Sequence, residues 1–233
     1  MNVVITGATK GIGRAIACSF AEGGHTIIAC ARTVRDLNEM ETEFIARYPA
    51  ATFRSHAVDV SLESEVNTFA QWLIDGNLVP DILVNNAGIF APGTVENEAN
   101  GMLENMMNIN LYSAYNLTRL LLPSMKKKVA GHIFNICSIA SLEALDNSGT
   151  YCITKFAMLG FSKCLREEMK PYGIKVTAIM PGATLSASWE GTGVNPQRIM
   201  EANDVAKMVF AASQLSPQAV VEDIVMRPQL GNL

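Results

Sequence analysis

A chain of 233 residues, 49% of them hydrophobic, is long enough for one α/β domain with a large buried sheet. The net charge of −4 offers no general attraction for nucleic acid or for an anionic membrane surface. No apolar run reaches the roughly 18 residues of a transmembrane helix, and the three histidines, His25, His56 and His132, lie too far apart in sequence to suggest a metal site.

The cysteines indicate a reducing compartment. Cys18, Cys30, Cys137, Cys152 and Cys164 show no CxxC spacing, and several of them lie within apolar stretches, as reduced core thiols do. Glycines interrupt the apolar start of the chain at once, which is not the pattern of a signal peptide. We therefore expect a cytoplasmic protein.

Strand-like and helix-like segments alternate along the chain. The predicted strands are Val3–Thr6, Thr26–Ala31, Thr52–Val60, Ile82–Asn85, Gly131–Ser138, Lys175–Ile179 and Val220–Met226. The predicted helices are Arg14–Gly23, Leu37–Tyr48, a segment starting near Ser61, Asn110–Leu121 with Pro123 near its end, Tyr151–Glu168 and Asp204–Leu215. The strands are apolar without alternation, as burial on both faces requires. The order predicts an α/β fold with a Rossmann-type, doubly wound parallel sheet, three layers deep, in a single domain over residues 1–233.

A glycine-rich loop follows the first strand and reads Thr-Gly-Ala-Thr-Lys-Gly-Ile-Gly from Thr6. Its glycines permit a tight turn and let backbone N–H groups approach a pyrophosphate at a helix N-terminus. A plain turn between strand and helix would also use glycines. The dinucleotide contacts expected here are Gly7, Thr9, Lys10, Gly11, Ile12 and Gly13.

The end of the second strand favours NADP(H) over NAD(H). NAD-binding folds usually place an acidic residue there to accept from the ribose 2′-hydroxyl. This chain has Arg32 instead, with Lys10 in the glycine loop, and a guanidinium can hold a 2′-phosphate by paired hydrogen bonds. Arg32 would otherwise be a solvated surface residue, and Asp36 could compete for it.

Polar residues also follow the third and fourth strands. Asp59 and Val60 are expected to contact the cofactor. The Asp59 carboxylate could accept a hydrogen bond from an amino group such as that of adenine, or could cap the helix that starts near Ser61. The fourth strand runs into Asn85-Asn-Ala-Gly88, where amides beside small residues suit a close approach to a ligand. Asn86, Ala87 and Gly88 are the contacts expected.

These motifs resemble those of a known family. Thr6-Gly-x-x-x-Gly-x-Gly13 and Asn85-Asn-Ala-Gly88 are similar to the cofactor motifs of the short-chain dehydrogenase/reductase (SDR) family, in its short single-domain branch. The resemblance runs from Val3 to about Gly182. It implies a catalytic set made of Asn110, Ser138, Tyr151 and Lys155, all present in this sequence.

The chemistry of this set explains its spacing. Tyr151 and Lys155 share one face of a helix, and an ammonium near a phenol favours the ionised phenolate. Such a phenol can exchange a proton with a carbonyl or alcohol oxygen, which Ser138 would orient. The resemblance implies that Lys155 also binds the nicotinamide ribose and that Asn110 holds a water in a proton relay. Asn108 is the other candidate for the asparagine that holds the water.

The segment after the sixth strand is expected to pass near the nicotinamide. Pro181 and Gly182 are the expected contacts, and the family's following threonine corresponds to Thr184 or Ser186. Trp189, Gly191 and Gly193 come next and suit a mobile lid over the substrate, or an ordinary surface loop.

The sequence thus predicts an NADP(H)-dependent oxidoreductase that interconverts a carbonyl and an alcohol. The resemblance implies a 3-oxoacyl thioester, a 3-hydroxy acid or another small ketone as the substrate. The segment Ile139–Gly149, expected to line the pocket, includes Glu143 and Asp146 but no cation to bind a carboxylate. The alternatives are a non-catalytic NADP(H)-binding sensor and an NAD-dependent alcohol dehydrogenase. The resemblance also implies a homodimer or homotetramer formed through helices that include the one carrying Tyr151.

Overall fold

Parallel strands form the centre of the computed structural model, which describes residues 1–185 and 193–231. In this part of the chain the sheet has seven strands in the order β3-β2-β1-β4-β5-β6-β7, and all pairings are parallel. The strands are β1 Asn2–Thr6, β2 Thr26–Ala31, β3 Thr52–Ala57, β4 Ile82–Asn85, β5 Gly131–Ile136, β6 Ile174–Pro181 and β7 Asp223–Met226.

Helices connect the strands and cover both faces of the sheet. They are α1 Gly11–Glu22, α2 Val34–Arg47, α3 Glu63–Asp75, α4 Met102–Met107, α5 Ser113–Lys128, α6 Gly149–Met169 and α7 Ala202–Ser213. A π-helical segment, Asn108–Tyr112, joins α4 to α5, and short 3-10 turns cover Ile139–Ser141, Lys170–Tyr172 and Pro196–Arg198. Among the described residues, no helix combines the length and apolar character needed to cross a membrane.

The three layers follow from the alternation of side chains along buried strands. Val3 and Ile5 pack into the core that holds α1, α2 and α7, whereas Val4 packs into the core that holds α3, α5 and α6. Successive side chains of a strand point to opposite faces, so an apolar run buries both. The predicted doubly wound fold is therefore confirmed. Three of the five free cysteines, Cys30, Cys137 and Cys152, are buried; Cys18 is partly buried, and Cys164 is exposed.

The topology fixes where a ligand would bind. Strand β1 pairs with β2 on one side and with β4 on the other, so the connections leave it in opposite directions. Such a switch point opens a crevice beyond the carboxyl ends of the strands. The segments that follow β1, β4, β5 and β6 all reach this edge of the sheet.

Most element boundaries differ from the sequence predictions by one to three residues, and strand β7, for example, begins at Asp223 rather than Val220. Helix α4 was not predicted, because its six residues are too few to show a helical period. Helix α5 continues through Pro123 to Lys128, with Lys126–Lys128 in its last turn, where cations meet the negative end of the helix dipole. Strand β3 ends at Ala57 rather than Val60, because the chain turns at Asp59.

Candidate active site

The glycine loop is built for close backbone approach. Gly7 and Gly11 have φ values of +64° and +53°, a left-handed conformation that favours glycine. A Cβ at Gly13 would lie 2.4 Å from the Gly7 carbonyl oxygen, so a side chain is excluded there. Helix α1 then begins with no side-chain cap from Lys10 and no acidic residue in its first turn. Its first N–H groups are available to an anion.

The end of β4 is tied to this loop by hydrogen bonds. The Asn86 amide nitrogen donates to the carbonyl oxygens of Thr6 and Gly7 at 2.9 and 3.0 Å. The Thr6 hydroxyl oxygen accepts from the N–H groups of Asn86 and Ala87, each at 3.0 Å. The sequence pointed to Asn86 as a ligand contact, and the structure shows that its amide nitrogen binds the loop itself. Its contact with a cofactor, like that of Ala87, stays a prediction.

Arg32 is exposed at the end of β2, and Asp36, which the sequence suggested as a partner for it, is paired with another residue. The Asp36 carboxylate pairs with Lys10 at 3.3 Å. Within residues 1–185 and 193–231, the Arg32 guanidinium forms no ion pair with a carboxylate. The positive charge of Arg32 contributes to lowering the pKa of the Asp59 carboxyl. Arg32 therefore remains able to bind an anion.

Asp59 binds the turn that precedes helix α3 rather than capping the helix itself, and its contact with adenine stays a prediction. Its Oδ1 accepts from the Ser61 N–H at 2.9 Å and from the Ser61 hydroxyl at 2.7 Å. The Ser61 hydroxyl, aided by the Ser61 N–H and by Arg32, holds the pKa of the Asp59 carboxyl below its ordinary value. The local turn uses one carboxylate oxygen, and helix α3 starts later, at Glu63. The other oxygen remains as an acceptor, beside the partly buried Val60.

Ser138 lies just beyond β5, and the backbone orients its hydroxyl. It is the N-cap of the 3-10 turn, and its Oγ accepts from the Ala140 N–H at 3.1 Å. The Ser141 hydroxyl accepts from the Ser138 N–H in return, which completes a capping box. Ser138 is buried at the carboxyl edge of the sheet. The two hydrogen bonds, one to its side chain and one from its backbone N–H, hold it in place there.

Tyr151 and Lys155 occupy neighbouring turns of α6, as the sequence predicted. The Lys155 Nζ lies 5.7 Å from the centre of the Tyr151 ring. It also donates to the Ile136 carbonyl oxygen at 2.9 Å, and the lysine is only 6% exposed. Ile136 ends β5, two residues before Ser138. The ammonium is thus fixed between the end of β5 and the tyrosine.

Asn110 lies in the π-helical segment and is buried, whereas its rival Asn108 is exposed. Its amide nitrogen donates to the Ile89 carbonyl oxygen and to the Thr154 hydroxyl oxygen, each at 3.0 Å. A Cβ at Gly88 would lie 3.3 Å from the Asn110 Oδ1 and 3.7 Å from the Lys155 Nζ. Gly88 therefore brings the backbone close to both side chains. Single π-turns of this kind often occur at functional sites.

Two neighbours of these residues were not found from the sequence. The Phe90 ring packs edge-on against the Tyr151 ring, with centroids 5.0 Å apart and planes at 88°. Thr154 links Asn110 to the Tyr151 carbonyl oxygen, to which its hydroxyl donates at 2.8 Å. The position of Thr154, three residues after Tyr151 on a helix, was a usable signal. Nothing in the sequence places Phe90 beside Tyr151.

The segment after β6 reaches the same edge of the sheet. Pro181 ends the strand, and the Gly182 N–H donates to the Met226 carbonyl oxygen at 2.8 Å. The Thr184 hydroxyl donates to the Gly182 carbonyl oxygen at 2.9 Å. Gly193, from the predicted lid or loop, has a φ of +73°. Ser186, Trp189 and Gly191 fall outside the described residues, so the choice between Thr184 and Ser186 stays open.

Comparison with known proteins gives consistent results. A family model described as short chain dehydrogenase matches residues 1–195. Sepiapterin reductase from Chlorobaculum tepidum is 30% identical to this chain over 239 residues, which cover 99% of the chain and 97% of that protein.

Solved structures agree over almost the whole length. L-sorbose reductase from Gluconobacter frateurii, complexed with NADPH and L-sorbose, has a TM-score of 0.89 and 28% identity, covering 97% of this chain and 94% of the other. A metagenomic short-chain oxidoreductase in complex with NADP has a TM-score of 0.84 and 27% identity, covering 97% and 96%.

Proposed function

This chain belongs to the short-chain dehydrogenase/reductase family and is an oxidoreductase of that family, and from that premise we propose that it interconverts a carbonyl and an alcohol with NADP(H), using Tyr151 as general acid and base. The observation that carries the proposal is the placement of Ser138, Tyr151 and Lys155 together. The buried Lys155 ammonium bridges the end of β5, two residues before Ser138, and the Tyr151 ring.

The residues at the switch point fit a dinucleotide. The excluded Cβ at Gly13, the left-handed Gly7 and Gly11 and the uncapped start of α1 make a cradle for a pyrophosphate. The Asp59 carboxylate, kept ionised, has a free oxygen for the amino group of adenine. Gly182 and Thr184 follow β6 at the same edge of the sheet and are proposed to contact the nicotinamide end.

Arg32 supports the choice of NADP(H). It is a cation at the end of β2, where an NAD-binding protein would usually carry an acid, and no ion pair with a described carboxylate occupies it. Lys10 would have to leave the partly buried Asp36 to join Arg32 on a 2′-phosphate, and a surface pair of this kind costs about 1 kcal/mol to break. The NADP-bound and NADPH-bound relatives in the same fold support the same choice.

The chain's own residues divide the chemistry. When bound, the cofactor supplies or accepts the hydride. Tyr151 donates its hydroxyl proton to the substrate oxygen in reduction and takes it back in oxidation. Ser138 donates a hydrogen bond to the same oxygen, and the nearby Lys155 ammonium stabilises the phenolate that remains. Asn110, in the proposed relay, holds the water through which Tyr151 is reprotonated.

The apolar face of α5 and α6 supports a homodimer or homotetramer. Tyr112, Tyr115, Ile153 and Phe156 are each exposed by more than 40%. An open groove of about 580 Å³ lies between these helices and the start of α3, and Phe161 and Cys164 line it from α6. Large exposed apolar side chains that gather on one part of a surface often mark a protein–protein interface.

The proposal is tested by following NADPH oxidation over a panel of small ketones, ketoses, pterin ketones and 3-oxoacyl thioesters, with NADH in parallel. NADPH carrying deuterium at C4 of the nicotinamide is then used with the best substrate. The proposal requires NADPH-preferring turnover and deuterium on the carbinol carbon of the product. Tight NADPH binding without any turnover would favour the sensor instead, and equal or better rates with NADH would remove the cofactor assignment.

A further inference from the structure

The helix that carries Tyr151 begins without a cap from its own residues. Ser148 is the N-cap of α6, but its side chain makes no capping hydrogen bond, and the first turn has no acidic residue. The first N–H groups of a helix have no partner within the helix. Glu98, from the segment between β4 and α4, supplies a hydrogen-bond acceptor for one of these N–H groups. Its Oε1 accepts from the Thr150 N–H at 2.9 Å, and its Oε2 accepts from the Thr150 hydroxyl.

Glu98 binds the start of α6 through hydrogen bonds and not through a surface ion pair. Glu98 is partly buried, and within residues 1–185 and 193–231 it forms no ion pair with a lysine, arginine or histidine. Both carboxylate oxygens bind one residue, Thr150, which directly precedes Tyr151. A carboxylate at this end of a helix is also stabilised by the helix dipole.

The backbone next to Glu98 is held against the same turn. The Gly93 N–H donates to the Asn147 carbonyl oxygen at 2.9 Å, and the Gly93 carbonyl oxygen accepts from the Gly149 N–H at 3.0 Å. A Cβ at Gly149 would lie 2.7 Å from the Val95 Cγ2, and one at Gly93 would lie 2.6 Å from the Glu98 Cγ. A side chain at Gly93 would therefore displace that of Glu98, and one at Gly149 would press on both the side chain and the backbone of Val95.

The other end of this segment reaches the reacting side chains. Ile89 exchanges hydrogen bonds with Asn110, and Phe90 packs against the Tyr151 ring. Residues 89–98 thus connect Asn110, the Tyr151 ring and the first turn of α6. We propose that Glu98 is a positioning residue, which holds this turn so that the Tyr151 hydroxyl stays aligned with the substrate oxygen. The inference rests on the proposed function.

The consequence is a loss of rate rather than of cofactor binding. Without the Glu98 carboxylate, the first turn of α6 loses its partner and Tyr151 moves with it. A small misplacement of a proton donor costs about 10- to 100-fold in rate. The glycine loop and Arg32 lie on other elements, and Lys155, one turn further along α6, stays bonded to the Ile136 carbonyl oxygen, so the KM for NADPH should change little.

The test compares Glu98→Ala, Glu98→Gln and Thr150→Val with a control, Glu96→Ala. Glu96 is exposed and lies two residues away on the same segment. Glutamine keeps an oxygen for the Thr150 N–H and an amide that can donate to the Thr150 hydroxyl oxygen. Rates are measured against NADPH and carbonyl concentration, and amide hydrogen exchange is followed by mass spectrometry in the peptide that spans the start of α6.

The expected result is a kcat for Glu98→Ala lowered about 10- to 100-fold, with faster exchange at the start of α6, and a smaller loss for Thr150→Val. Glu98→Gln should recover most of the rate, and Glu96→Ala should match the wild type. Faster exchange with unchanged kcat would show a purely structural clamp and overturn the inference, as would a Gln variant as slow as Ala. If Glu98→Ala fails to fold, the rates of Glu98→Gln and Thr150→Val decide whether the inference holds. Only an inactive wild type would count against the proposed function itself.

Discussion

The side-chain amide of Asn110 makes hydrogen bonds with both backbone groups of Ile89: its Oδ1 accepts from the N–H at 2.7 Å, and its Nδ2 donates to the carbonyl oxygen at 3.0 Å. This reciprocal pair joins the π-helical segment to the chain that follows Gly88. It fixes the orientation of the amide, since the oxygen can only accept and the nitrogen can only donate.

Asn110→Asp should therefore lower the free energy of unfolding by about 1–3 kcal/mol. The carboxylate would still accept from the Ile89 N–H, but the Ile89 carbonyl oxygen would lose its donor and face a negative charge. Urea unfolding of the protein without cofactor measures the change. The matched variant is Asn108→Asp, because Asn108 is exposed on the same segment. Equal stability of the two variants would contradict this account of Asn110.

Arg32→Ala should weaken NADPH binding about 10- to 100-fold and leave NADH binding almost unchanged. Only NADPH carries the 2′-phosphate that the guanidinium is proposed to bind. Dissociation constants from the fluorescence of the bound nucleotides are the measurement. Arg35→Ala is the control, since Arg35 is also exposed but pairs with Glu39 at 2.8 Å. A loss of affinity that is equal for both nucleotides would remove the assignment.

The fold and much of the site could be predicted because their signals are local in the sequence. Apolar runs and glycine positions predict the sheet and the loop after β1, and the spacing of Tyr151 and Lys155 places them on one helix face. Contacts between distant segments have no such signal. Glu98 binds Thr150 across 52 residues, and nothing in either sequence neighbourhood indicates this. The role of Asn86 was only partly recognised, because its partners are backbone atoms of the loop after β1.

His132 should make stability fall as the pH is lowered. Its Nε2 donates to the Thr177 hydroxyl oxygen at 2.7 Å, and that hydroxyl donates to the Val221 carbonyl oxygen. The buried imidazole Nδ1 has no hydrogen-bond partner among the described residues. Burial, with a smaller effect of Lys175, lowers the pKa of His132 from 6.5 to about 3. Between these values the unfolded chain binds a proton that the folded protein does not, so stability rises with pH.

The expected slope from this one group is up to about 1.4 kcal/mol per pH unit between the two pKa values. His132→Gln keeps a donor for Thr177 and cannot titrate, so it should lose this part of the slope in urea unfolding measured at a series of pH values. Well above pH 6.5 the imidazole is neutral in both states, and the two proteins should there show the same pH dependence. A variant with the wild-type slope at low pH would show that His132 is not responsible.

Phe156→Glu should shift the protein toward monomers. Phe156 is 47% exposed on the apolar face of α6, and a carboxylate buried in a subunit interface is costly. Size-exclusion chromatography with light scattering gives the mass. Ile45→Glu is the control, because Ile45 is an apolar residue 63% exposed on α2. A wild-type protein that is already monomeric, or an unchanged mass for the variant, would contradict the proposed assembly.

The most direct test of the central claim compares Tyr151→Phe with the wild type. Phenylalanine keeps the edge-on packing against Phe90 and removes only the hydroxyl. Tyr115→Phe, on α5, is the matched control. With the best carbonyl substrate and NADPH, we predict that kcat falls about 100- to 10,000-fold for Tyr151→Phe while the NADPH dissociation constant is unchanged. Turnover close to that of the wild type would show that another group carries the proton.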